Sequence, residues 1–182
     1  MRAATVSSSA PPAADAVPRP GFAEGLRQAS APHRQERFSR RAGRPTIVVA
    51  DDEKVVREEL CQLLGDFGFT VLGAAADGLE AVELLEALEP EIMLLDLRMP
   101  GLDGIEAARR IKKRNPLTQV VILSAYEDAS LMTEALEVGV YCYLVKGCNP
   151  RLIRDVLTTA STLRVGLQSR SSGPGPSSSV QN

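Results

Sequence analysis

The stretch LLDLRMPGLDG, residues 94–104, ends an apolar run on an acidic residue and turns the chain immediately afterwards. The apolar run 92–95 precedes Asp96, and Pro100 and Gly101 follow so closely that a strand cannot continue. A carboxylate at the end of a buried strand is costly unless it has a partner. The stretch therefore predicts a buried strand whose final residue serves a functional site.

Similar apolar runs alternate with helical patterns along residues 46 to 160. The predicted strands are residues 46–50, 70–76, 91–96, 119–124 and 140–145. The predicted helices are residues 56–67, 79–88, 105–114, 129–138 and 150 to about 160. Near-continuous apolar strands separated by helices are typical of a parallel sheet covered on both faces. We expect a doubly wound α/β fold with five parallel strands, whose functional groups lie at the carboxyl ends of the strands.

Candidate site residues lie at the ends of four of the five predicted strands. They are Asp51 and Asp52 after the first strand, Asp96 at the end of the third, Ser124 at the end of the fourth and Lys146 after the fifth. Helix capping explains one such acid easily, but it explains three acids in one crevice poorly. Crowded carboxylates repel one another unless a cation lies among them, and Mg²⁺ prefers such oxygen ligands. A lysine and a hydroxyl nearby suit an anion of phosphate geometry. The pattern predicts a Mg²⁺ pocket with an acid that can accept a phosphoryl group.

Four segments together resemble the receiver domain of two-component response regulators. They are VVADDE (48–53), LLDLRMPGLDGIEA (94–107), VVILSA (120–125) and GVYCYLVK (139–146). The resemblance covers about residues 45–163 and implies the flavodoxin-like fold of receivers. It implies that Asp96 accepts a phosphoryl group from the phosphohistidine of a sensor histidine kinase. It also implies that Asp51 and Asp52 hold Mg²⁺, together with the Asp96 carboxylate and the backbone carbonyl of Arg98.

The same resemblance assigns roles around the phosphoryl group. Ser124 and Lys146 resemble the residues that contact it, and Tyr143 occupies the place of an aromatic side chain whose rotation accompanies phosphorylation. Ala125 is small and leaves the site accessible, and we expect Arg98 and Tyr126 to tune the phosphoryl lifetime. The output expected is a contact with a downstream protein, or a self-dimer, through the face of helix 4, strand 5 and helix 5. Such a chain is a signalling domain and not an enzyme in the usual sense.

The charges divide the chain into unlike regions. Residues 1–44 carry eight Arg against three acidic residues, a net charge of +5, and show no apolar periodicity, so we expect a disordered basic tail. Residues 164–182 are Gly/Ser/Pro-rich, and we expect a second disordered tail. Residues 45–160 carry 20 acidic residues against 11 Lys and Arg, which disfavours binding to nucleic acid. No apolar run approaches the roughly 20 residues of a membrane span. The three cysteines form no CxxC pair, and we expect reduced thiols and a cytoplasmic location.

The sequence leaves alternatives to a stand-alone receiver. Gly147 follows Lys146 where most receivers carry Pro, which resembles the subgroup fused to a helix-turn-helix DNA-binding domain. The alternative function is therefore a DNA-binding transcriptional regulator whose output domain is lost or truncated, since only 19 residues follow Leu163. An aspartate phosphohydrolase usually carries an acid two residues after its nucleophile, where this chain has Arg98. A dinucleotide site is disfavoured because the first strand–helix turn has no glycine, and a phosphate-independent binding module is disfavoured by the complete set of site residues.

Overall fold

The protein is described by a computed structural model over residues 43–171, with side chains described as far as Leu163. Five strands and five helices alternate along this part of the chain. The strands are β1 (Thr46–Ala50), β2 (Thr70–Ala75), β3 (Ile92–Leu95), β4 (Gln119–Ser124) and β5 (Cys142–Val145). The helices are α1 (Lys54–Asp66), α2 (Gly78–Leu88), α3 (Gly104–Arg114), α4 (Ala129–Val138) and α5 (Pro150–Ser171).

The strands form one parallel sheet in the order β2-β1-β3-β4-β5. Ala50 pairs with Leu95, and Leu95 pairs with Ile122, so β1, β3 and β4 end side by side. The chain order reverses between β1 and β3, which is where open α/β sheets form their crevice. The predicted doubly wound, flavodoxin-like fold is confirmed, and Asp51 and Asp96 directly follow two neighbouring strands at that crevice.

Alternate residues of the central strands supply two separate cores. Val48, Met93 and Ile122 face the layer of α2, α3 and α4, where Leu85 and Ile111 are fully buried. The opposite face packs against α1 and α5, through the buried residues Ile47, Val49, Leu94, Val121, Leu60, Leu64, Ile153 and Leu157. This double burial explains why β1, β3 and β4 are apolar at consecutive positions.

The structure corrects the predicted bounds of several elements, most of them by one or two residues. The third strand is one residue shorter at each end, and the fifth begins at Cys142 because the Val140 amide closes α4 by donating to the Ala135 carbonyl. The last helix continues to Ser171 instead of ending near Ala160, since no proline interrupts it. Its final turns therefore enter the segment expected to be a disordered tail. Residues 1–42 and 172–182, to which the other tail predictions refer, lie outside the described residues.

None of the helices within residues 43–171 combines the length and the apolar character that crossing a membrane requires.

Gly104 at the start of α3 is required by a close backbone approach. A β-carbon at this position would overlap the carbonyl oxygen of Asp96, and the Gly104 amide donates to the Leu97 carbonyl at 2.8 Å. We expect Gly104→Ala to lower the free energy of unfolding by about 1–3 kcal/mol, because backbone atoms must move. Urea unfolding measures this change.

The matched control is Gly65→Ala in α1, where a β-carbon would meet nothing within 4 Å. Replacing this helical glycine should stabilise the protein by roughly 0.5–1 kcal/mol. Equal unfolding midpoints for Gly104→Ala and wild type would show that the loop after β3 is not held by this approach.

Candidate functional site

Two buried carboxylates share one buried ammonium group at the carboxyl edge of the sheet. The Lys146 Nζ lies 2.7 Å from Asp51 Oδ2 and 2.9 Å from Asp96 Oδ1. The three residues are only 1% (Asp51), 6% (Asp96) and 4% (Lys146) exposed. The Lys146 amide donates to the Ser124 carbonyl at 2.7 Å, which ties the lysine to the end of β4. The structure thus brings together three of the predicted site residues, with two negative charges against one positive charge.

Main-chain donors fix the other oxygen of each carboxylate. Asp51 Oδ1 accepts a hydrogen bond from the Glu53 amide at 3.0 Å. Asp96 Oδ2 accepts one from the Arg98 amide at 2.7 Å. Each carboxylate is therefore held between the lysine and its own loop, and neither is free to turn into solvent.

The pKa values show that the lysine does not fully offset burial. Burial raises the pKa of Asp51 to about 6, although the charge and hydrogen bond of Lys146 lower it and the charge of Asp96 adds to the rise. Burial also raises the pKa of Asp96, against the opposing effect of Lys146. Burial lowers the pKa of Lys146, but the two carboxylates outweigh this effect and hold it above its usual value. The site carries an excess of negative charge that a further cation would stabilise.

Asp52 stands apart from this buried group. Its side chain is exposed, and its negative charge contributes to the raised pKa of Asp96. Within the described part of the chain, no three His, Cys, Asp or Glu side chains are grouped so that they could hold a metal ion. The donors near the crevice are all oxygens, however, and Mg²⁺ takes one or two carboxylates and completes its shell with water, carbonyl and phosphate oxygens. The buried pair of Asp51 and Asp96 fits that requirement, and the full predicted ligand set remains a prediction.

The end of β4 is linked to β5 through one residue of the following loop. Ser124 is fully buried, and its Oγ accepts a hydrogen bond from the Tyr126 amide at 3.1 Å. The Tyr143 hydroxyl donates to the Tyr126 carbonyl at 2.8 Å, and the tyrosine is 8% exposed. Burial raises the pKa of Tyr143, so its hydroxyl remains a neutral donor. Ala125 lies between these contacts and is half-buried.

Arg98 and Tyr126 meet above the crevice. The Arg98 guanidinium carbon lies 5.0 Å from the centroid of the Tyr126 ring, within the range of a cation–π contact. The two residues come from the loops after β3 and β4. They therefore bridge the strand ends that carry Asp96 and Ser124.

Sequence reasoning did not identify Arg57, which contacts the loop of the acidic pair. Its Nη1 donates to the main-chain carbonyls of Asp51 and of Asp52, the latter at 3.3 Å. The helix α1 that carries it has Glu53 at its N-cap without a side-chain capping hydrogen bond. The only sequence signal is an arginine in the first turn after the acidic pair, and this signal is weak without the structure.

The sequence profile of the response regulator receiver domain matches residues 47–158. The chain belongs to the response regulator receiver family. This result confirms the family predicted from the four sequence segments. The chain is therefore a two-component signalling domain.

Relatives of the receiver carry regulatory names. The transcriptional regulatory protein PdtaR of Mycobacterium tuberculosis is 37% identical over 111 residues, covering 61% of this chain and 52% of PdtaR. A two-component response regulator of the LuxR family from Aurantimonas sp. SI85-9A1 superimposes with a TM-score of 0.61 and 28% identity, covering 68% of this chain and 86% of that chain. The CheX–CheY–BeF3–Mg²⁺ complex from Borrelia burgdorferi superimposes with a TM-score of 0.60 and 25% identity, covering 63% and 87%. The receiver chain spans about half the length of the curated relatives it matches.

The raised pKa of Asp51 predicts that the metal-free receiver becomes more stable as the pH falls from 7 to 5. Since this pKa rises from 3.8 to about 6 on folding, the folded state binds more protons than the unfolded state between about pH 4 and pH 6. Stability is then lost as the pH rises through that window. The Asp51 contribution is of the order of 2 kcal/mol. Urea unfolding at pH 5, 6 and 7 measures it.

Asp51→Asn is the matched variant, because it removes the titrating group and keeps the shape. It should be more stable than wild type at pH 7 and should show a flatter pH dependence. A wild-type protein that loses stability on acidification from pH 7 to pH 5 would contradict the assignment.

Proposed function

We propose that this receiver accepts a phosphoryl group on Asp96 from the phosphohistidine of a sensor histidine kinase, and thereby switches a protein-interaction surface. The observation that supports this proposal is the buried Lys146 ammonium held between Asp51 and Asp96 at the switch point of the sheet. The only histidine of the sequence, His33, lies outside the matched domain, and we place the phosphohistidine on a sensor histidine kinase.

The proposed transfer needs a nucleophile, charge neutralisation and a hydrogen-bond donor to the phosphoryl oxygens. An Asp96 oxygen forms the new bond to phosphorus while the bond from phosphorus to the donor imidazole nitrogen breaks, and the electron pair stays with the imidazole. The Lys146 ammonium group would move from the Asp96 carboxylate to an oxygen of the transferred phosphoryl group. Ser124 Oγ accepts a hydrogen bond from the Tyr126 amide, and its hydroxyl group can donate to a phosphoryl oxygen if it turns towards the site. Bound Mg²⁺ would supply further charge neutralisation.

The proposed ligands of Mg²⁺ are Asp51, Asp52, the Asp96 carboxylate and the backbone carbonyl of Arg98. The two buried carboxylates carry raised pKa values and share a single cation, which favours the arrival of a second one. The likeness to a receiver complex that contains BeF3 and Mg²⁺ supports the same assignment. Asp52 is exposed and would join through a side-chain rotation or a water molecule.

The hydrogen bonds of Tyr126 offer a route from the site to the surface. If Ser124 moves its hydroxyl towards a phosphoryl group, the loop after β4 loses the contact that holds the Tyr126 amide. The Tyr126 carbonyl then no longer holds Tyr143 in its buried position. A two-state element next to a charge change is how phosphate switches generally work.

The proposed output surface consists of α4, β5 and α5. It carries large exposed apolar side chains, Leu136 at 58%, Leu152 at 46% and Leu163 at 48%. Exposed apolar side chains on neighbouring elements are typical of an interaction site. The partner is a downstream protein or a second copy of the receiver.

DNA-binding transcriptional regulation is the second candidate function. The names of the curated relatives favour it. Gly147, which resembles the subgroup of receivers fused to a DNA-binding domain, has a φ of +96° that proline cannot adopt. Two arginines at the basic end of α3 are paired with acidic residues, Arg109 with Glu134 and Arg114 with Glu86, which disfavours this end as a nucleic-acid patch. We therefore propose that any DNA binding belongs to a region outside the receiver. We also propose a cytoplasmic location for the receiver, without a membrane contact. A mobility-shift assay with promoter DNA tests this candidate.

Incubation with acetyl phosphate and Mg²⁺ should add one phosphoryl group to the wild-type protein. The adduct should be absent without Mg²⁺ and absent in Asp96→Asn, because that variant lacks the nucleophile. Intact-protein mass spectrometry measures the added mass.

A beryllofluoride complex provides the control for rapid hydrolysis of the aspartyl phosphate. It should change the NMR signals of Ser124 and Tyr143 in the wild type and leave Asp96→Asn unchanged. The phospho-switch is wrong if neither acetyl phosphate nor beryllofluoride acts on a folded wild-type protein. A phosphate-independent binding module would then be the remaining reading of the domain.

The contact between Arg98 and Tyr126 should lengthen the lifetime of the phosphoryl group by restricting the access of water. The aspartyl phosphate of Arg98→Ala and of Tyr126→Ala should each hydrolyse faster than that of wild type. Because the two residues share one contact, the double variant should hydrolyse more slowly than the two single effects multiplied together would give. The coupling should be about 0.5–1 kcal/mol, equivalent to a roughly 2- to 5-fold change in lifetime. Phosphate release after removal of the donor measures it.

Arg109→Ala is the control for loss of a positive charge, since Arg109 pairs with Glu106 and Glu134 and does not touch the site. Additive effects of Arg98→Ala and Tyr126→Ala would show that the two residues act independently.

A further inference from the structure

The helix α1 begins in a different way from the other helices described here. Asp77, Asp103 and Asp128 each cap the helix that follows, by accepting hydrogen bonds from amides of its first turn. Asn149 accepts a hydrogen bond from the Arg151 amide at the start of α5. The N-cap of α1 is Glu53, and it makes no side-chain capping hydrogen bond.

Neither aspartate before α1 caps the first turn of this helix. Asp51 directs one oxygen to the Lys146 ammonium and the other to the Glu53 amide. Asp52 has an exposed side chain. The acidic pair thus stays available for a cation, while the helix start lacks the stabilisation of about 1 kcal/mol that a cap provides.

Arg57 contacts the same loop through its guanidinium group. Its Nη1 donates to the carbonyls of both Asp51 and Asp52, so one guanidinium nitrogen joins the first turn of α1 to the two residues of the acidic pair. Hydrogen bonds from a charged donor are stronger than those between neutral groups. The Arg57 amide also donates to the Glu53 carbonyl at 2.9 Å, which fixes the turn from which the side chain starts.

We infer that Arg57 is a positioning residue for the cation site, acting by holding the main chain of Asp51 and Asp52 in place of a helix cap. This inference rests on the proposed function. It adds a residue that contacts neither the phosphoryl group nor the metal ion. Arg57 instead fixes the backbone from which two of the proposed ligands extend.

Positioning and simple charge predict opposite effects on Mg²⁺ affinity. If Arg57 acted only through its positive charge, its removal would strengthen Mg²⁺ binding by relieving repulsion. If it positions the acidic loop, Arg57→Met should weaken Mg²⁺ binding, since loss of a residue that orients metal ligands typically costs roughly tenfold in affinity. The sign of the change therefore decides between the two roles.

Lys54→Met is the matched control. Lys54 is one turn before Arg57 on the same helix, is exposed, and lies 3.7 Å from Glu58. The variant removes the same charge from the same helix without touching the loop carbonyls. It should leave Mg²⁺ affinity unchanged or slightly raised. Arg57→Lys keeps the positive charge and one donor nitrogen, so its Mg²⁺ affinity should lie between those of wild type and Arg57→Met.

Calorimetric titration of the full chain with Mg²⁺ gives the affinities, and thermal unfolding without Mg²⁺ checks that each variant is folded. The Mg²⁺ concentration for half-maximal phosphorylation by acetyl phosphate should rise roughly tenfold in Arg57→Met. The rate at saturating Mg²⁺ should return to the wild-type value. In metal-free Arg57→Met, hydrogen exchange of the Glu53 amide should be faster than in metal-free wild type, because the hydrogen bond from this amide to Asp51 depends on the position of the loop.

Arg57→Met that binds Mg²⁺ as tightly as Lys54→Met, with unchanged exchange at Glu53, would overturn the inference. A wild-type protein that binds no Mg²⁺ would overturn the proposed function and this inference together. If wild type is phosphorylated and Arg57→Met shows the same dependence on Mg²⁺, this inference alone is overturned. If Arg57→Met does not fold, the comparison of Arg57→Lys with Lys54→Met decides in the same way.

Discussion

The burial of two carboxylates around one ammonium group is the constraint on which the rest of this receiver depends. Removing Asp51, Asp96 and Lys146 from water costs several kcal/mol for each ion, and their mutual attraction recovers that cost only with good geometry. The short distances from Lys146 and the two main-chain hydrogen bonds supply this geometry. The raised pKa values of both acids show that the compensation is incomplete. The protein therefore keeps a local excess of negative charge at the edge of the sheet where we propose that a cation and a phosphoryl group bind.

The sheet provides the rigidity that such a group needs. Strands β1 and β3 are neighbours, and their last residues, Ala50 and Leu95, are paired in register. The acids that follow them are consequently held at adjacent points of one edge. The Asp96 amide donates to the Ala50 carbonyl at 2.7 Å, so the pairing continues into the site itself. Two hydrophobic cores on opposite faces of the strands hold this edge in place, and their close packing fixes the positions of the site residues.

Much of this arrangement follows from the sequence, because strand ends and helix starts are marked by residue type. The apolar run before Asp96 and the turn at Pro100 identify a buried strand with an acid at its end. Parallel pairing then places Asp51, Ser124 and Lys146 at the same edge without any knowledge of distances. The grouping of Asp51 with Asp96 around Lys146 agrees with that reasoning, while the outward side chain of Asp52 does not follow from it.

Side-chain contacts that cross between loops were beyond the reach of sequence patterns. The stacking of Arg98 on Tyr126 depends on the paths of two loops, and nothing in the residue order fixes their separation. The contacts of Arg57 depend on the rotation of α1 about its axis. The helix α5 is longer than the sequence predicts for another reason. The sequence there is rich in polar residues but carries no proline before Ser171, so helix geometry persists where composition suggested a tail.

The aspartates of this domain illustrate how position separates capping from chemistry. Asp77, Asp103 and Asp128 direct an oxygen to the amides of a following helix, and this common role accounts for them fully. Asp51 and Asp96 instead direct an oxygen to Lys146, although Asp51 lies just before a helix. The difference lies in the partner: a cap gains about 1 kcal/mol from exposed amides, whereas the buried pair holds negative charge away from water at a net cost. A protein keeps such a cost where the charge is used. The hydrogen bonds that link this edge through Ser124 and Tyr126 to Tyr143 support the proposed switch.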